Sequence, residues 1–306
     1  MKKKKTLNAI DLIKLKRSGK IKGLTVADGR KQRSIYSKDD VSSPALSQDG
    51  FFASLAIDAL EQRFISTSDV AGAFLKATMH DYVLVRLQGP AVEALLRINY
   101  EKYGNFVIQE KRKKVLYVQL LKVMYGTLTA PILWYQLFAD TLLSKGFTIN
   151  PFDLCVANKS VNGKQLTICW YVDDLKVSHE DETVVRATIA ELEEDFGKMN
   201  VVYGKDHVYL GMNLKIKDGT VSITMKDYLE EALQAYGEPI NSSATTPANR
   251  NLHVIDENAE LLPNEKAERF HHIVAKLLHV AKRARLDIEP TIAFLYRRVQ
   301  KPTSQD

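Results

Sequence analysis

Apolar residues recur at helical spacing over 46–64, through Phe51, Leu55, Ile57, Ala59 and Leu60, and this predicts a helix. A short strand over 64–70 follows, then a strand over 82–87 and a helix opened by Pro90 that runs to Tyr103. Two short strands flank Lys111-Arg112-Lys113-Lys114, and a helix over 130–145 begins at Pro131 and stops at Gly146. The pattern then switches to alternation. Strands over 154–159 and 164–172 flank Asn162-Gly163, a hairpin turn pair, and a third strand covers 175–178. A charged amphipathic helix over 182–196 comes next, and a second alternating hairpin spans 214–223. Helices over 226–236, 266–284 and 288–300 close the chain, separated by a polar stretch with Asn and Pro. Before residue 45 the sequence is basic and turn-rich, and a strand pair is expected between 20–24 and 33–36. Together these elements predict an α+β fold, an antiparallel sheet with helices on one face plus a helical C-terminal part.

At 306 residues the chain can bury one or two sizeable cores. Its hydrophobic (45%) and charged (26%) fractions are those of an ordinary globular protein. The formal net charge of +6 suits a polyanionic partner without requiring one. Cys155 and Cys169 sit in apolar strand patterns, as small core residues of a reduced, intracellular protein do. No apolar run reaches membrane-spanning length, and Lys2-Lys3-Lys4-Lys5 has no apolar segment behind it, so no membrane partner is expected. That lysine run reads as a solvated end, a nuclear address or a nucleic-acid contact.

Candidate chemistry enters at Tyr171-Val172-Asp173-Asp174, a tight turn between apolar strands. Adjacent carboxylates repel, and a bound divalent cation removes that cost; a solvated turn is the plainer alternative. Asp69, at the end of the 64–70 strand, is the third carboxylate. Two-metal phosphoryl transfer needs carboxylates from at least two chain segments, holding ions about 4 Å apart.

Asp69-Val70-Ala71-Gly72-Ala73-Phe74-Leu75, the segment 121–135 with Tyr125-Gly126 and Ala130-Pro131, and Tyr171-Val172-Asp173-Asp174 resemble three successive reverse transcriptase motifs. They are closest to the copia-type LTR retrotransposon family. Gly29-Arg30-Lys31-Gln32-Arg33 resembles its basic fingers segment, and Tyr209-Leu210-Gly211-Met212 its primer-side hairpin. Ser243-Ala244-Thr245-Thr246-Pro247 and the segment 281–288 resemble regions downstream of the polymerase core, so the likeness runs in family order from about residue 20 to 303.

The resemblance implies a reverse transcriptase-like architecture: a fingers-like part over 1–63, a palm over 64–225 with a fingers insertion at about 82–130, and a thumb- or connection-like helical part over 226–306. It implies RNA-directed DNA polymerase activity, with two Mg²⁺ ions (Mn²⁺ able to substitute) on Asp69, Asp173, Asp174 and the Val70 carbonyl. The partners implied are dNTPs and an RNA/DNA template–primer. Phe74 falls where an aromatic ring excludes a 2′-hydroxyl, or else is a core residue. Tyr125 and Gly126 fall at nucleotide contacts, although Gly126 also suits a helix-entry turn. Lys31 and Arg33 match triphosphate contacts, and Tyr171, Lys111, Arg112, Lys113, Lys282, Arg283 and Arg285 match the template–primer track; a solvated face is the alternative for each basic residue. Thr129 stands where the family commonly has glutamine, and Leu286 where it has proline. RNase H, protease and integrase segments of the polyprotein are not in this sequence. The expectation is therefore a fragment of a longer reading frame or a truncated copy, acting in the cytoplasm (in a virus-like particle) or the nucleus. A catalytically inert remnant or a domesticated nucleic-acid binder is the competing reading.

Overall fold

The computed structural model describes residues 6–15, 19, 21–240, 243–248 and 250–306. The Lys2–Lys5 run, and Lys20 of the expected first strand pair, lie outside the described residues. In chain order the strands and helices are β1 (Thr6–Leu15), β2 (Ile21–Ala27), α1 (Gln48–Leu60), β3 (Phe64–Asp69), α2 (Ala73–Lys76), β4 (Leu84–Gln88), α3 (Pro90–Ile98), α4 (Tyr100–Tyr103), β5 (Ile108–Glu110), β6 (Lys113–Gln119), α5 (Ala130–Ser144), β7 (Thr148–Ile149), β8 (Val156–Val161), β9 (Lys164–Tyr171), β10 (Asp174–His179) and α6 (Glu182–Phe196). The rest are β11 (Asn200–Gly204), β12 (Asp206–Tyr209), β13 (Met212–Lys217), β14 (Thr220–Thr224), α7 (Lys226–Tyr236), α8 (Asn264–Ala281) and α9 (Glu289–Arg298). The α+β expectation holds. Two compact units are formed, one from residues 1–54 and 68–201, the other from 55–67 and 202–306.

In the first unit, a five-stranded sheet runs β2-β1-β4-β6-β5. It is mixed rather than antiparallel, because β1 pairs with β4 in parallel through Thr6–Asn8. The strand expected over 33–36 is absent. Gly29–Ser34 forms a 3₁₀ turn capped by Asp28, and β2 finds its partner in β1 instead. The expected helix over 90–103 breaks at Asn99, whose extended backbone (φ −157°) ends α3 and whose side chain accepts the Lys102 N–H to cap α4. A core of Leu7, Val83, Val85, Val123 and Ala130 lies against this sheet.

The second sheet of this unit runs β7-β8-β9-β10, antiparallel throughout, with the Ser68–Asp69 end of β3 beside β10. The β8–β9 turn is Asn162-Gly163, both with positive φ (52° and 75°), the geometry this pair favours. Helix α6 starts on Asp181, whose carboxylate accepts the Thr183 N–H, and packs its Val185, Ile189 and Leu192 face against β10. Trp134 and Phe138 of α5 join Trp170 and Phe196 in a buried aromatic cluster.

In the second unit, β12, β13 and β14 form a three-stranded antiparallel sheet, turning at Leu210-Gly211 and Asp218-Gly219. Helix α8 packs against both α7 and α9. Among the described residues no helix is long and apolar enough to cross a membrane.

Candidate active site

The tight turn predicted at the paired aspartates is present, shifted by one residue. Tyr171 pairs with Asp174, so Val172 and Asp173 form the tip and Asp174 is already the first residue of β10. Val172 adopts φ +57°, a conformation a β-branched residue takes only when its surroundings hold it. Two hydrogen bonds hold it here. The Trp134 indole N–H donates to the Val172 carbonyl at 2.6 Å, and the Val70 N–H donates to the Asp173 carbonyl at 2.9 Å.

The second bond joins the two carboxylate-bearing segments, since Val70 directly follows Asp69. The carboxylates feel one another: Asp174 is pushed up from 3.8 to about 6, by burial first and then by the charges of Asp173 and Asp69. Tyr125 belongs to the same field, its phenol raised by burial and then by Asp173 and Asp69. Carboxylate and carbonyl oxygens are the donors that hard divalent cations take, and the accumulated charge fits such an ion. The side chains do not close into a cage: among the described residues no three acidic, His or Cys groups are gathered tightly enough to hold a metal ion. The Val70 carbonyl accepts the Ala73 N–H at 3.2 Å, so one lone pair remains for another partner.

Phe74 reaches this centre from α2, where the left-handed Gly72 (φ 66°) turns the chain after β3. Its ring meets Tyr125 at 4.6 Å between centroids and also packs on the core of the five-stranded sheet, so the steric and structural readings coexist in one side chain. Gly126 has a structural reason of its own. At φ +88°, a Cβ there would lie 2.0 Å from the Ala27 carbonyl oxygen. Ala27 in turn donates its N–H to the Tyr125 carbonyl at 2.7 Å. The close approach that the glycine permits is therefore to β2.

Gln32 has a part that its sequence context does not announce. It is 2% exposed inside the basic segment, and its Oε1 accepts the Leu128 N–H at 2.8 Å, pinning the 3₁₀ turn to the loop before α5. Only its place between Lys31 and Arg33 marked it. Trp134 is likewise unannounced, because its place in an apolar helix reads as packing alone. Thr129, just before α5, is buried with its hydroxyl unpartnered.

The basic residues divide. Lys31 and Arg33 are exposed on the 3₁₀ turn. Lys31 and Lys111 line one groove of about 770 Å³ with Asn8, Arg86, Glu110 and Tyr117, so two residues assigned different roles share a surface. Lys111 and Arg112 form the β5–β6 turn with positive φ (44° and 67°), and exposed Lys113 starts β6. Tyr171 is 40% exposed at the end of β9. In the second unit, Arg285 is engaged by Asp287 (2.8 and 2.7 Å) and Arg283 bonds the His279 carbonyl at 3.3 Å, while Lys282 is exposed after α8.

The family described as reverse transcriptase (RNA-dependent DNA polymerase) matches residues 3–250. A putative transposon Ty5-1 protein of Saccharomyces cerevisiae is 24% identical over 237 residues, 76% of this chain and 70% of its own length. The retrovirus-related Pol polyprotein from transposon TNT 1-94 of Nicotiana tabacum is 21% identical over 98% of this chain, which spans only 22% of that protein. The crystal structure of prototype foamy virus protease–reverse transcriptase aligns with 90% of this chain and 27% of its own, at 14% identity and a TM-score of 0.35.

Proposed function

Because the chain belongs to the reverse transcriptase (RNA-dependent DNA polymerase) family, we propose that it extends a primer 3′-hydroxyl with dNTPs on an RNA or DNA template. The observation that carries this is the Val70–Asp173 hydrogen bond of 2.9 Å, which ties the residue after Asp69 to the Asp173-Asp174 turn. Members of the family use divalent metal ions. In this reading the ions are two Mg²⁺, with Mn²⁺ able to substitute, held by Asp69 and Asp173 with Asp174 and the Val70 carbonyl beside them. Bound there, such ions would supply activation of the attacking hydroxyl and stabilisation of the leaving pyrophosphate.

The chain's own groups do the rest. In this reading Phe74, braced by Tyr125, excludes a 2′-hydroxyl by the bulk of its ring. Lys31 and Arg33 neutralise the triphosphate, and Lys111, Arg112 and Lys113 contact phosphates without reading sequence. Tyr171 borders the primer end. Within the second unit, Lys282 is read as a phosphate contact of its own, and Arg285 must exchange Asp287 for a phosphate to act as one. The tobacco relative is a Pol polyprotein, and we read this chain as one segment of such a protein, with RNase H and integrase supplied by others. The setting in this reading is intracellular, in cytoplasm or nucleus, in keeping with Cys155 and Cys169 packed as small residues of the buried core.

The test is dTTP incorporation on poly(rA)–oligo(dT) with Mg²⁺ or Mn²⁺, beside Asp173→Asn/Asp174→Asn. Incorporation that the double variant loses supports the polymerase. No incorporation by folded protein refutes it and leaves nucleic-acid binding as the property to measure.

A further inference from the structure

Both carbonyls of the aspartate turn are taken, one from each side. The Val70 amide holds that of Asp173, and the Trp134 indole N–H holds that of Val172 at 2.6 Å. Trp134 is 1% exposed, so its lone polar hydrogen has no water to turn to. Its ring is fixed from two directions, edge-on by Phe196 at 5.3 Å and by Phe138 at 5.5 Å. Phe138 also meets Trp170, the residue before Tyr171, at 5.2 Å. The donor thus belongs to the cluster on which β9 itself rests. The acceptor belongs to Val172, a branched residue held at φ +57°. Without that bond, the backbone has every reason to relax toward negative φ, and Asp173 follows it.

We infer that Trp134 is a positioning residue for the aspartate turn: it holds Val172 in its left-handed conformation and so keeps Asp173 in register with Val70 and Asp69. It touches neither substrate nor ion and acts through the Val172 carbonyl. The functional half of this inference rests on the polymerase reading; the structural half does not.

Trp134→Phe keeps most of the ring contact and removes the donor. Amide hydrogen exchange in the metal-free protein reads the clamp directly. We expect the Val70 N–H to exchange about tenfold faster, the loss of one buried hydrogen bond, while amides of the β8–β9 hairpin stay as they were. Mn²⁺ binding, followed by the electron paramagnetic resonance of the free ion without nucleic acid, should weaken about tenfold as well. Adding Val172→Gly, which removes the cost of positive φ, should recover part of both losses. Should Trp134→Phe fold poorly, Phe196→Leu loosens the indole without removing its N–H, and a smaller acceleration at Val70 is expected. Unchanged Val70 exchange in folded Trp134→Phe overturns the inference. If the wild-type protein neither binds Mn²⁺ nor extends a primer, yet Val70 exchange still quickens in the variant, the polymerase reading falls and the clamp stands.

Discussion

Val70 donates its backbone N–H to the carbonyl of Asp173 at 2.9 Å, which ties the end of β3 to the β9–β10 turn at the residues flanking two carboxylates. Groups held in one arrangement act as a unit, and their removal is not additive. Asp69→Asn and Asp173→Asn are each expected to cut primer extension by about a hundredfold or more. The double variant should lose little beyond either single one. Single-turnover extension rates for the three proteins check this; independent, multiplying losses would show that the two carboxylates work separately.

Asp174 gives a pH signature in the metal-free protein. Its carboxyl is raised to about 6, chiefly by burial and then by Asp173 and Asp69, so the folded state holds the proton more tightly than the unfolded one. Its stabilising contribution is therefore full below about pH 4 and is lost as pH rises through about 6. In EDTA, the wild-type melting temperature should fall across that window relative to Asp174→Asn, and the variant should be the more stable protein at pH 7.5. Parallel melting curves across pH 4–7 would remove this assignment.

Gly126→Ala tests the backbone contact beside the centre. The new Cβ would sit 2.0 Å from the Ala27 carbonyl oxygen, at a residue with φ +88°. Neither the clash nor the dihedral can be relieved by rotating a side chain, so a loss of about 2–3 kcal/mol in urea unfolding is expected. A variant of native stability would mean that β2 and the 125–126 segment can part, and would leave nucleotide contact as the role to test for the glycine.

Local grammar made much of this fold legible. Asn162-Gly163 carries its own turn type, 182–196 its amphipathic spacing, and 214–223 its alternation, and each became the element expected. The aspartate turn was legible for the same reason. What could not be read was non-local. The β1–β4 pairing joins Thr6–Asn8 to Leu84–Arg86, far apart in sequence, and nothing in 33–36 announced that β2 would prefer β1. Gln32 and Trp134 act through backbone partners, Leu128 and Val172, which leave no mark in the sequence because every residue offers the same amide. At the site, side-chain identity was readable and the clamps between backbones were not.

Phe74 separates the two readings the sequence left open. Its ring lies 4.6 Å from Tyr125 on one side and on the apolar core with Met124 and Leu133 on the other. A core role and a sugar-excluding role predict different losses on Phe74→Val. Shortening a partly buried ring should cost about 1–3 kcal/mol of stability under either reading. Only the steric role also changes selectivity. Removing the ring opens space at the 2′ position, so ribonucleotide incorporation should rise relative to deoxynucleotide by about tenfold or more, since the discrimination comes from a clash and not from a bond. Matched rGTP and dGTP incorporation on one template, with wild type and variant compared at a temperature where both are folded, gives that ratio free of the stability loss. A variant that is less stable yet equally selective would assign Phe74 to the core alone.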